Sequence, residues 1–194
     1  MDAMEGVVLN NGRVQSWRDQ SGNGLNATQD DLARQPKYQE REDGQYVIHF
    51  DGIDDFLSFS PLEVNGLSRI TLVLVSANWK YTENVKWGDE GGSHGTVNAA
   101  LHFEEVGEPD VWGCVYLNPF QHRVTMRFGT GQEGNINTWS RPQSVGESMT
   151  ITVAMKCSTE EFLYVDGELV GRYFEKKNQN ISYRRRRLVG TWEG

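Results

Sequence analysis

Phe162-Leu163-Tyr164-Val165-Asp166-Gly167-Glu168-Leu169-Val170 is the stretch on which the fold turns. Two runs of strand-forming residues flank Asp-Gly, the dipeptide that most readily takes the two positive φ angles of a two-residue type I′ turn, so the segment predicts a hairpin. Outward from it, short apolar-alternating runs bounded by Gly, Asn, Asp or Pro predict strands at 14–17, 45–50, 56–59, 69–77, 97–104, 111–117 and 123–128, then at 149–157, 161–165, 168–174 and 186–190. Helical periodicity is nearly absent; the polar stretch 29–43 carries Pro36 and no apolar stripe. No linker, repeat or low-complexity segment divides the chain. The expected fold is an all-β sandwich forming one domain over residues 1–194.

Composition agrees with that reading. A chain of 194 residues suits one large domain with a real core. With 21 glycines, 5 prolines and 11% aromatics it has the make-up of a folded, turn-rich protein. The aliphatic run from Ile70 to Val75 is far short of the roughly 20 apolar residues of a spanning helix, so membrane insertion is not expected. The opening Met1-Asp2-Ala3-Met4-Glu5-Gly6 has neither the basic nor the apolar region of a signal peptide. A net charge of −8 argues against nucleic acid or anionic membrane as a general partner. Cys114 and Cys157 stand in strand-like segments outside any C-x-x-C; two buried free thiols are the favoured reading and a disulfide between neighbouring strands the alternative.

Two polar segments offer chemistry. In Asp19-Gln20-Ser21-Gly22-Asn23-Gly24 a glycine-permitted turn gathers side-chain and main-chain oxygens. In Asp51-Gly52-Ile53-Asp54-Asp55 three carboxylates fall within five residues and repel unless exposed, hydrogen-bonded or facing a cation. Such loops suit Ca²⁺, a hard ion taking oxygen ligands, and Asp19, Asn23, Asp51, Asp54 and Asp55 form the candidate metal set. That these side chains merely satisfy turn amides is an equal reading.

Asp19-x-Ser21-Gly22-Asn23-Gly24-x-Asn26-Ala27-Thr28, followed by Val47-x-x-Phe50-Asp51-Gly52-x-Asp54-Asp55-x-Leu57, resembles the laminin-G-like jelly rolls of the concanavalin A-like lectin/glucanase superfamily. Leu163-Tyr164-Val165-Asp166-Gly167-x-x-Val170 is similar to the Y-V-D-G hairpin of the same family. The resemblance implies a two-sheet antiparallel jelly-roll sandwich that serves as a non-catalytic carbohydrate-binding or adhesion module of a secreted or cell-surface protein, with calcium as a structural ion. In that family a strand normally precedes the position of Asp2 and another follows that of Gly194. The expectation is that these terminal strands are lacking here, leaving open sheet edges that recruit a second copy into a homodimer.

The glucanase spacing Glu-x-Asp-x-x-Glu is absent, and Glu104-Glu105 and Glu160-Glu161 place neighbouring carboxylates on opposite strand faces, so an enzyme is not expected. His49, His94, His102 and His122 lack metal-ligand spacing; His49 reads as a core or sheet-face residue. Six tryptophans exceed what one core requires. Trp87, Asp89 and His94, and Asn137, Trp139 and Arg141, each combine an aromatic plate with polar groups in loop-like sequence, the chemistry of a sugar site; each Trp alone reads equally well as a cover for the end of the sandwich. The candidate ligand is a polysaccharide or other glycan. The competing class is a protein-interaction module without a glycan site, using the edge at Arg184-Arg185-Arg186-Arg187. That run reads first as a solvated edge, with an anionic glycan as the alternative.

Overall fold

The computed structural model describes residues 1–51, 53–59, 64, 66–77, 101–105, 115–118, 123–128, 136–140, 149–174 and 188–191. Its elements are strands but for a single 3-10 turn at Leu32–Arg34. The strands are β1 (Val7–Asn10), β2 (Arg13–Trp17), β3 (Ala27–Thr28), β4 (Lys37–Glu40), β5 (Tyr46–His49), β6 (Ser58–Phe59), β7 (Arg69–Ser76) and β8 (Leu101–Glu105). They continue with β9 (Val115–Asn118), β10 (Arg123–Phe128), β11 (Ile136–Ser140), β12 (Thr150–Cys157), β13 (Glu160–Val165), β14 (Glu168–Phe174) and β15 (Leu188–Thr191). Two antiparallel sheets result. The larger runs β11-β10-β9-β8-β15-β6-β3-β2-β4-β5 with β1 added on β2; the smaller runs β14-β13-β12-β7. Among the described residues no helix is long and apolar enough to cross a membrane.

The hairpin is present as expected. Asp166 and Gly167 have φ of 50° and 82°, the two positive values of the I′ turn. The same device joins β1 to β2: Asn11 and Gly12 sit at 50° and 78°, an Asn-Gly signal that the strand reading above passes over. Strands β1, β3, β4 and β11 lie outside the expected set, being two to five residues long. Tyr38 of β4 finds a partner in Ile48 of β5 across the ladder, and this long-range pairing stabilises a segment whose local preference is weak.

The core of the large sheet gathers Val14, Trp17, Ala27 and Leu57, with Val7, Tyr38, Ile48, Phe50 and Phe59 packed around them. Trp17 meets its polar need by donating its indole N–H to the Asp2 carbonyl at 2.8 Å. One edge of β2 carries β1; the other is shared, Arg13 facing Lys37 of β4 while Trp17 faces Ala27 of β3. This forks the chain around the segment that holds Asp55.

In the four-stranded sheet β7, β12 and β13 follow strict alternation. Leu74, Thr152, Ala154, Lys156, Glu161, Leu163 and Val165 are buried on one face. Val73, Val75 and Ile151 lie on the other, exposed by 65%, 58% and 49%. Cys157 follows the same alternation, and here the expectation of a buried thiol is corrected. Even-numbered residues of β12 point inward, so odd-numbered Cys157 is exposed, and it is a free cysteine. Cys114 and the arginine run 184–187 lie outside the described residues.

Candidate functional site

The loop from Asp51 to Leu57 enters the core at Leu57, which is fully buried, and this anchor fixes the polar residues before it. Asp51 organises the turn: its Oδ1 accepts the N–H groups of Ile53 at 2.8 Å and of Asp54 and Asp55 at 3.3 Å each. Asp55 returns the bond, its Oδ2 accepting the Asp51 N–H at 3.1 Å. Its other oxygen lies 3.5 Å from the Arg13 guanidinium, which also donates to the Gln35 carbonyl. Beneath, Gln35 donates to the Gln29 carbonyl at 2.7 Å, and the Phe56 N–H donates to the Arg34 carbonyl at 3.2 Å. A buried polar floor thus holds Asp55 in place.

Asp51, Asp54 and Asp55 each bring one carboxylate oxygen to within 4.8 Å of the others. Electrostatics separates them. Burial pushes the Asp51 carboxyl up, but its three N–H donors and Arg13 outweigh this, so the net direction is down. Asp55 is raised, by burial first and then by the charges of Asp51 and Asp54, against the Asp51 N–H and Arg13. A second cation on this side would lower that repulsion. The donor set is all hard oxygen and fits Ca²⁺ in type; three carboxylates leave the rest of its usual six to eight ligands to water and main-chain carbonyls.

Asp19 is engaged differently. Its carboxylate accepts the Ser21 N–H and Ser21 hydroxyl, both at 2.8 Å, and the Leu25 N–H at 3.1 Å. Those bonds from Ser21 and Leu25 lower its pKa to about 2. Asn23 donates its side-chain amide to the Ser21 hydroxyl at 2.9 Å, and Asn26 accepts the Asp19 N–H at 2.9 Å. The turn is closed upon itself, and Asp19 is not in the group that Asp51, Asp54 and Asp55 form.

Of the aromatic candidates, Trp87, Asp89, His94 and Arg141 lie outside the described residues. Asn137 and Trp139, expected in a loop, belong to β11, opposite Met126 and Val124 of β10. The loop expectation is corrected: Ile136, Thr138 and Trp139 are strand formers, and the ladder with β10 captures them. His49 is half-buried in β5 opposite Lys37, a sheet-face position as expected.

The sequence reading misses an aromatic row on the outward face of the four-stranded sheet. Phe162 and Tyr164 share that face of β13, with ring centroids 6.4 Å apart and planes 24° from parallel. On β14 the Arg172 guanidinium lies 4.3 Å from the Phe174 ring and 5.3 Å from the Phe162 ring. Its Nη2 donates to Glu160 Oε1 at 2.8 Å, which orients the cation between the rings. Phe174 is 57% exposed. The signal was available: aromatics at 162 and 164 alternate with inward Glu161, Leu163 and Val165. No protein-family model matches the chain, and no curated protein matches it.

Proposed function

We propose that this chain is a non-catalytic glycan-binding module, a laminin-G-like jelly roll from a secreted or cell-surface protein. The observation that carries the reading is the outward row of Phe162, Tyr164, Arg172 and Phe174 with Glu160. Aromatic rings cover the apolar CH face of a pyranose, while a fixed guanidinium and carboxylate supply a hydroxyl-binding donor and acceptor. The row lies on a sheet, so it is held rigidly and little entropy is lost on binding. A glycan array spanning neutral, sulfated and uronic-acid polysaccharides tests it. Binding that disappears in Phe174→Ala and Arg172→Ala supports the sheet-face site. Binding lost instead in Trp87→Ala or Trp139→Ala moves the site to the residues the sequence singles out. Silence across the array with folded protein rejects glycan binding.

A second reading has its own observation. Val73, Val75, Ile151 and Leu169 extend the outward face as an aliphatic surface, which suits protein better than sugar. Under that reading the array is silent and a protein ligand protects these residues.

Calcium belongs to the proposal as a structural ion held by Asp51, Asp54 and Asp55; its role there is to neutralise the three carboxylates and stiffen the loop. Calcium at about 100 times its Kd stabilises a native state by about 2.7 kcal/mol, which for a chain of this size is a rise of roughly 5–10 °C in Tm. Chelation should remove that increment, and calcium, but not sodium, should restore it. An unchanged melt assigns the three carboxylates to turn formation.

A further inference from the structure

We infer that β7 is the dimerisation edge of this protein, pairing antiparallel with β7 of a second copy about a twofold axis at Leu72. No described strand pairs with the far side of β7, whose neighbour in the sheet is β12 alone. The phase of its free groups follows from two hydrogen bonds. The Ser158 N–H donates to the Ser68 carbonyl at 2.8 Å, continuing the register in which Lys156 opposes Ile70, Ala154 opposes Leu72 and Thr152 opposes Leu74. Antiparallel pairs alternate between bonded and non-bonded, so the even-numbered residues of β7 direct their N–H and C=O groups at β12. Ile151 confirms the phase from the other strand: its C=O accepts the Asp166 N–H and its N–H donates to Asp166 Oδ1, both away from β7. Arg69, Thr71, Val73 and Val75 therefore aim their backbone groups at the side of β7 that no described strand occupies.

The occupant is specified by self-complementarity. With the axis at Leu72, Thr71 meets Val73 of the second copy and Arg69 meets its Val75, engaging all four outward-directed residues within the strand. The side chains match on both faces. Leu72 meets Leu72 and Ile70 meets Leu74 on the inner face, extending the apolar layer that already buries Leu74. Val73 and Thr71 pair on the outer face, a favourable β-branched contact.

Charge does not oppose the pairing. The protein carries −8 overall, yet Arg69–Ser76 holds no acidic residue, so no carboxylates of the two strands face one another. The usual protections of an edge are missing too: the strand has no proline or lysine, and its pairing with β12 runs over eight residues without a register shift. Twofold pairing consumes the edge in each copy, so the assembly closes at two.

Sedimentation of the full chain from low micromolar to several hundred micromolar tests the assignment. The expected result is concentration-dependent conversion from the 22.0 kDa chain to a species of twice that mass. Val73→Pro removes an N–H that serves only the dimer, so it should keep the monomer's far-UV spectrum and weaken association at least tenfold. Leu72→Pro removes an N–H used by β12 and should damage the fold itself. Thr71→Lys, which needs no backbone adjustment, should weaken association as Val73→Pro does, and it decides the matter if the proline variant misfolds. A monomer throughout the range, an open-ended assembly, or a dimer unaffected by Thr71→Lys and Val73→Pro would overturn the assignment.

Discussion

Around Val14, Trp17, Ala27 and Leu57 the large sheet buries apolar side chains, and its loops satisfy their own amides through Asp19, Asp31 and Asp51. The four-stranded sheet is mixed on both counts. Beside Leu74, Ala154, Leu163 and Val165 it buries Lys156, Glu161 and Thr152, and it turns Val73, Val75, Ile151 and Phe174 outward. The first region is arranged to face water with its loops. The second has apolar side chains on both faces, the pattern of a sheet that is covered on both sides. Its inward charges lie opposite each other, Lys156 directly across from Glu161, with Lys156 Nζ also donating to the Ser158 carbonyl at 3.1 Å. Buried charge costs several kcal/mol unless it is compensated, which makes this pair the most consequential feature of the smaller sheet.

Breaking that pair should give the largest effect. Lys156→Met leaves the Glu161 carboxylate buried without its facing cation and should cost about 3–5 kcal/mol in urea unfolding, whereas Lys156→Met with Glu161→Leu should recover most of the loss. Two substitutions, one in each region, sharpen the contrast. Leu57→Ala opens a cavity in the large sheet's core and should cost about 2–5 kcal/mol. Val75→Thr on the outward face should stay within about 0.5 kcal/mol for the free protein. A much larger cost at Val75 would show that the outward face is already covered within the monomer.

Acid separates the two acidic loops. Asp19 is held at about 2, below the ordinary carboxylate range, by the bonds it accepts from Ser21 and Leu25. A depressed carboxyl contributes stability that is fully present above the unfolded value and is lost as pH falls from there through the folded value. Melting temperature should therefore decline between about pH 4 and pH 2, and Asp19→Asn should flatten that decline. Asp55 runs the other way. Its pKa is raised, so the native state takes up this proton before the unfolded chain does, and its contribution improves as pH falls through the folded value. Asp55→Asn should accordingly remove a small gain on mild acidification rather than a loss.

What the sequence discloses tracks how local the cause is. The Asp166-Gly167 hairpin depends on two residues' φ preferences and is legible outright; the bounds of β10, an alternating run, and of β14, which the hairpin turn starts, match the expected 123–128 and 168–174. Strand β4 is not legible, because Lys37–Glu40 is a strand through its ladder to β5 and its pairing with β2. The same limit applies to the sites. Three carboxylates in one loop meet because five residues of chain bring them together. Whether Asp19 joins them is a question of tertiary placement, and its bonds to Ser21 and Leu25 are local instead. The row of Phe162, Arg172 and Phe174 needs the β13–β14 register, with Phe162 opposite Arg172 and Glu160 opposite Phe174, before it exists at all.

Calorimetric titration of the strongest array ligand into wild type, Phe174→Ala and Arg172→Ala, with the three melts recorded alongside, tests the binding role of the outward face most directly. The expected result is saturable binding by wild type and a loss of at least tenfold in affinity in both variants, with melting temperatures within a few degrees of one another. Equal affinity in all three proteins would contradict the account and place the glycan elsewhere on the molecule.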